Sequence, residues 1–154
     1  MLVKAPQSGP DRAPTVAVDE WTLVEEGPAR PGLIAPSPDG AGAWFDGDTA
    51  VEQVAPRIVE APVVAVRFPV FADGRGLTFG KLLRSRYGYD GELRAFGEIV
   101  PDLCEYMHRC GFDAFDLADR SQAAVAIACI RRMSDHYQGS FRQPPPYRRA
   151  AELR

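Results

Sequence analysis

The sequence predicts an α/β fold: a small parallel sheet made from βαβαβα units, half-barrel-like or doubly wound, with irregular strands ahead of it. Two observations carry this expectation. From Pro62 onward, short apolar runs alternate with stretches of helical spacing in units of about 25 residues, a rhythm that implies parallel strands joined by right-handed helical crossovers. Before Pro62, proline and glycine punctuate the chain so densely that only short extended pieces fit.

Residues 1–18 read as a disordered lead, dominated by Pro6, Ser8, Gly9, Pro10 and Asp11. One α/β domain is expected over 19–139, with a Pro/Arg-rich tail over 140–154. A weak strand fits Glu20 to Glu25, around Trp21, Leu23 and Val24, and an extended piece fits Leu33 to Ala35. Thr49 to Ile58 suits a short helix that Pro56 should stop early. Val63 to Val66 is apolar and β-branched, as in a strand buried on both faces. Past a glycine-rich loop, Phe79, Leu82, Leu83 and Tyr87 recur at helical spacing, and Gly88 stands where a helix stops. Leu93 to Phe96 is the second strand of this rhythm. Pro101 opens a helix whose stripe is Leu103, Cys104, Met107 and Cys110 and whose end is Gly111. Phe112 to Leu117 is the third strand. Asp119 or Ser121 caps the last helix, with Ala123, Ile127, Ile130 and Tyr137 as its stripe. Beyond Gly139, Pro144-Pro145-Pro146 reads as extended tail. A half-barrel leaves open sheet edges, which a homodimer or the N-terminal strands would cover.

Composition narrows the function classes. With 154 residues, 45% hydrophobic and 25% charged, the chain builds one core and hardly two. A net charge of −3 gives no general attraction for nucleic acid or anionic membrane, and the arginines 142, 148 and 149 form only a short basic tail. No run approaches the roughly 20 apolar residues of a membrane span. The first dozen residues lack the apolar core of a signal peptide, and three cysteines make no disulfide framework, so a reducing cytoplasm is expected.

Ligands of parallel α/β sheets gather beyond the carboxyl ends of the strands. The first strand feeds Asp73, Gly74, Arg75 and Gly76 to that rim; the second feeds Glu98 and Asp102; the third feeds Asp119 and Arg120. The functional reading is an edge that binds an anion or a partner through Arg75, balanced by carboxylates. Turn chemistry and helix capping explain Asp102 and Asp119 more simply, whereas for Asp73 and Arg75 the two readings stand level. Arg94, inside the second strand, is a further binding candidate. If buried it needs partners such as Glu92, Glu98 or Asp73, and a structural ion pair is the simpler account.

No metal site or cofactor is expected. Cys104 and His108 are four apart on one helix face, but Cys110 points elsewhere and no C-x-x-C occurs. There is no G-x-G-x-x-G after a strand, no G-x-x-x-x-G-K-[ST] and no G-x-S-x-G.

The segments Phe68-Pro69-Val70-Phe71-Ala72-Asp73-Gly74-Arg75-Gly76, Leu82-Leu83-Arg84, Gly91-Glu92-Leu93-Arg94-Ala95, Arg109-Cys110-Gly111-Phe112-Asp113-Ala114-Phe115 and Tyr137-Gln138 follow one another in an ordered series. Over residues 60–138 this series resembles the bacterial family known as domain of unknown function 934. The resemblance implies an accessory role in assimilatory sulfite reduction, the route from sulfate to sulfide for cysteine synthesis. The implied partner is sulfite reductase or its electron donor. Where the family has an Arg-Asp-Gln run, this chain has Pro101-Asp102-Leu103, and Leu77 stands where an aromatic usually follows Asp-Gly-Arg-Gly. An adaptor of this kind would dock through Phe68 and Phe71 beside Arg75. The alternative is a small enzyme acting on an anionic sulfur compound at the Asp73/Arg75/Glu98 rim. An electron carrier with bound flavin or cluster is disfavoured by the missing phosphate loops and the cysteine count.

Overall fold

The computed structural model describes residues 1–5, 13–19, 21–26, 30–34, 42–133, 135–141 and 143–152. Its strands are β1 Leu2–Lys4, β2 Thr15–Ala17, β3 Thr22–Glu26, β4 Arg30–Ile34, β5 Gly42–Asp46, β6 Val63–Phe68, β7 Glu92–Gly97 and β8 Ala114–Asp116. Its helices are α1 Val51–Ile58, α2 Arg75–Tyr87, α3 Cys104–Arg109 (entered through a 3-10 turn, Pro101–Leu103), α4 Arg120–Arg132 and α5 Pro146–Glu152. The described strands form one sheet in the order β2-β1-β8-β7-β6-β5-β4-β3. The pairs β5–β6, β6–β7 and β7–β8 are parallel, and an antiparallel ribbon extends each side.

The α/β expectation holds, and the order of the parallel strands decides its form. They follow one another in space as in sequence, so right-handed crossovers bring every connecting helix to one face. The packing agrees. Val64, Val66 and Phe68 of β6, Leu93 and Ala95 of β7 and Phe115 of β8 share a core with Val51 and Ala55 of α1, Phe79 and Leu83 of α2, Met107 of α3 and Ala123 of α4. A doubly wound sheet would split those helices between two faces; this one is the open, half-barrel arrangement.

Strand residues of the opposite parity form the other face. Trp44, Val63, Ala65 and Phe96 make a smaller cluster there, and Trp21 packs against it. Trp44 meets Phe96 edge-on at 5.7 Å.

Several local expectations need correction. The supposed disordered lead supplies β1 and β2: Leu2 and Val3 are buried, and β1 pairs with β8. Two apolar residues between Met1 and Lys4 are enough for a strand once a sheet edge is available; residues 6–12 of that lead lie outside the described residues. Pro56 does not stop α1 early. A proline at the sixth helical position loses one amide donor near the helix end, and the helix closes two residues later at Ile58. Tyr137 lies past the end of α4 and is 82% exposed, so it is no part of that helix's stripe. The third proline of the tail opens α5 instead of extending the chain, because the first helical position needs no amide hydrogen. Glu20 and Ala35, at the ends of two expected strands, lie outside the described residues.

Candidate functional site

The parallel strands β5, β6 and β7 release their chains at one end of the sheet, where α1, α2 and the Pro101 turn begin. Asp48, Asp73 and Glu98 stand on the loops of this rim, and Arg75 opens α2 beside them.

The β6–α2 loop is held at both ends. Phe68, the last residue of β6, is 2% exposed, and its carbonyl accepts from the Glu98 amide at 2.8 Å. The Asp73 amide donates to the Val70 carbonyl at 3.0 Å, closing a turn. Asp73, one residue before the N-cap, then holds the start of α2: Oδ1 accepts from the Arg75 amide at 3.1 Å. The Arg75 guanidinium lies side-on against the same carboxylate, with Nε 2.9 Å from Oδ1 and Nη2 2.7 Å from Oδ2. Its Nη1 reaches Asp48 Oδ2 at 3.3 Å. The Asp73 carboxyl is thereby held at about 2, below the usual 3.8, chiefly by its bond to the Arg75 side chain. Between these anchors Val70 and Phe71 are left 50% and 61% exposed.

Two glycines permit the close approach. A Cβ on Gly76 would lie 2.7 Å from Phe68 Cζ, so only glycine lets α2 sit on that ring. Gly97 has φ +100°, and a Cβ there would lie 2.5 Å from the Phe68 carbonyl oxygen.

The expected site residues divide accordingly. Asp73, Gly74, Arg75 and Gly76 form one unit at the start of α2, with Gly74 as its N-cap residue. Glu98 is exposed on the adjoining loop. Asp102 faces away from that unit: its Oδ1 takes the Cys129 thiol at 3.5 Å. Phe68 is not a docking residue. It has the parity of Val64 and Val66 and packs edge-on against Phe112 at 5.8 Å, inside the core. Phe71 alone of the two aromatics is at the surface. Arg94 is not at the rim either. It lies in mid-strand, in register with Ala65 and Ala114, on the face away from the helices, and is 4% exposed. Its partners are Glu92 Oε1 at 2.8 Å and Asp19 Oδ1 at 2.7 Å. Glu98 and Asp73 lie beyond the strand ends and do not serve. Asp119, not Ser121, caps α4, accepting the Ser121 amide at 2.9 Å.

Asp48 and the Asp46–Arg67 pair escaped the sequence reading. Arg67 Nε lies 2.6 Å from Asp46 Oδ1, and its guanidinium sits 5.5 Å from the Trp44 ring centre. The signal was the Asp-Gly-Asp at 46–48, ending a fourth parallel strand hidden in the glycine-rich stretch.

Thiol chemistry finds little support. Burial pushes the Cys104 thiol up to about 12 and also raises Cys110, while desolvation and Asp102 raise Cys129. Thiols held in this way are poor nucleophiles and poor ligands. Among the described residues no group of three or more His, Cys, Asp or Glu could hold a metal ion, and no helix is long and apolar enough to cross a membrane.

Fold and rim together define a singly wound α/β protein with a glycine-supported Asp-Gly-Arg-Gly turn at the carboxyl end of its sheet. The family model described as "Bacterial protein of unknown function (DUF934)" matches residues 42–148, and the chain belongs to that family. The matched region holds the parallel strands and the whole rim. No curated protein and no solved structure matches the chain.

Proposed function

We propose that this protein is an accessory factor of assimilatory sulfite reduction, an adaptor or electron-delivery partner that docks on sulfite reductase or its electron donor through the β6–α2 loop. The observation that carries the reading is the exposure of Val70 and Phe71 on a loop whose two ends are fixed. A pre-ordered loop loses little entropy on binding, and an aromatic beside an arginine is the composition of an interface anchor. The sequence resemblance supplies the process, and the reading places reduction itself on the partner.

Catalysis at the rim on an anionic sulfur compound is the weaker reading. Arg75 already donates to two carboxylates, so an anion would have to compete with both.

The test is a deletion strain in the native host, grown with sulfite or sulfide as sulfur source. The reading expects failure on sulfite, rescue by sulfide, and unchanged sulfite reductase abundance. Equal growth on both sources removes sulfite reduction from the account.

A further inference from the structure

The exposed apolar residues of the rim sit among carboxylates that outnumber the neighbouring arginines. Asp48, Asp73 and Glu98 surround the β6–α2 loop and are opposed by the single guanidinium of Arg75. The next carboxylates along the rim do not change the balance, because Asp46 is neutralised by Arg67 and Asp119 is followed by Arg120. Val100, on the loop after Glu98, adds a third apolar residue at 39% exposure. Beyond the rim, exposed cations include Arg131 and Arg132 at the far end of α4 and Arg148 on α5.

We propose that the partner of this rim is a protein surface with an apolar pocket ringed by lysine and arginine, into which Phe71 inserts while the carboxylates face the ring. This inference rests on the docking reading above and adds the chemistry of the partner. Apolar contact holds the complex, and the excess of carboxylates steers the encounter and rejects acidic surfaces. Screening separates the two contributions, since the Debye length is about 10 Å at 0.1 M salt and shrinks to about 3 Å at 1 M. The competing occupant is a second copy of this chain, offering the exposed Tyr137, Tyr147 and Arg148 of its tail.

The experiment uses the full chain as analyte over immobilised, purified sulfite reductase of the same cell, with binding kinetics recorded at about 50 mM and 500 mM salt. Glu98→Lys alters an exposed side chain whose backbone amide, not its carboxylate, makes the contact with Phe68. It should slow association at least about tenfold at low salt, with the gap closing at high salt. Phe71→Ala should speed dissociation at both salt levels. If Phe71→Ala weakens binding while Glu98→Lys binds as fast as wild type or faster, docking stands and the basic ring is wrong. If wild type binds neither sulfite reductase nor, on a second surface, its electron donor, or if neither variant changes binding, both readings fall. If wild type self-associates with rising concentration and Glu98→Lys abolishes it, the partner is a second copy and the foreign basic ring is overturned.

Discussion

At each end of the sheet an arginine is gripped by a carboxylate, but the two grips are set in opposite solvents. At the amino end, Arg84 of α2 and Asp113 before β8 are 3% and 5% exposed as an ion pair. Arg84 also donates to the carbonyls of Gly111 and Tyr89, and Asp113 accepts the Leu93 amide. The guanidinium stacks 5.0 Å from the Tyr89 ring centre. At the carboxyl end, the Arg75 side chain is 61% exposed, while its carboxylates Asp73 and Asp48 are 12% and 53% exposed. Buried, such a pair is expensive to break because the survivor is left charged and unsolvated; exposed, it contributes little to stability and stays available to a partner. The molecule separates the two tasks by placing one pair at each end of α2.

The largest expected effect tests the amino end. Asp113→Ala leaves Arg84 charged and buried, and should cost about 3–5 kcal/mol in urea unfolding. Replacing both members, Arg84→Met with Asp113→Leu, should recover only part of that, since the Gly111 and Tyr89 carbonyls and the Leu93 amide lose their partners. Full recovery would show that the pair contributes no net stability beyond its own desolvation.

Gly97→Ala comes next, because the left-handed backbone and the Phe68 carbonyl both oppose a side chain. It should cost about 1–3 kcal/mol by the same measurement. Phe71→Ala should move stability by no more than about 0.5 kcal/mol, yet abolish complementation of a deletion strain on sulfite. Loss of stability there would make Phe71 a packing residue and erase the contrast between the ends.

The smallest effect is electrostatic. Asp73 titrates at about 2 in the folded chain against an ordinary 3.8, so its bond to Arg75 is fully present above the ordinary value and is lost as pH falls toward about 2. In Arg75→Ala the carboxyl resonance of Asp73 should titrate closer to 3.8, with the fold unchanged by NMR. A midpoint that stays near 2 would assign the depression to the backbone amide of residue 75 instead of the guanidinium.

What could be read from the sequence was what is local. Val63–Val66, the helical spacing of Phe79 to Tyr87 and the stop at Gly88 each carry their own signal, and the parallel units follow from them. The Asp73–Arg75 unit was visible for the same reason, its members being two residues apart. The long-range ties were not. Asp19 reaches Arg94 across 75 residues, and β1 finds β8 only through the topology of the whole sheet. Phe68 was misplaced because an aromatic before Pro69 marks a strand end without saying which face it takes. Parity with Val64 and Val66 decides that.

The position of β1 also bears on how the chain is made. Val3 pairs with Phe115, the second strand to be laid beside it, so its central partner is synthesised 112 residues later. At roughly 5–20 residues per second, the ribosome leaves this apolar strand waiting about 6–22 s. Until β8 emerges, β2 can pair with one edge of β1, and the other edge stays open.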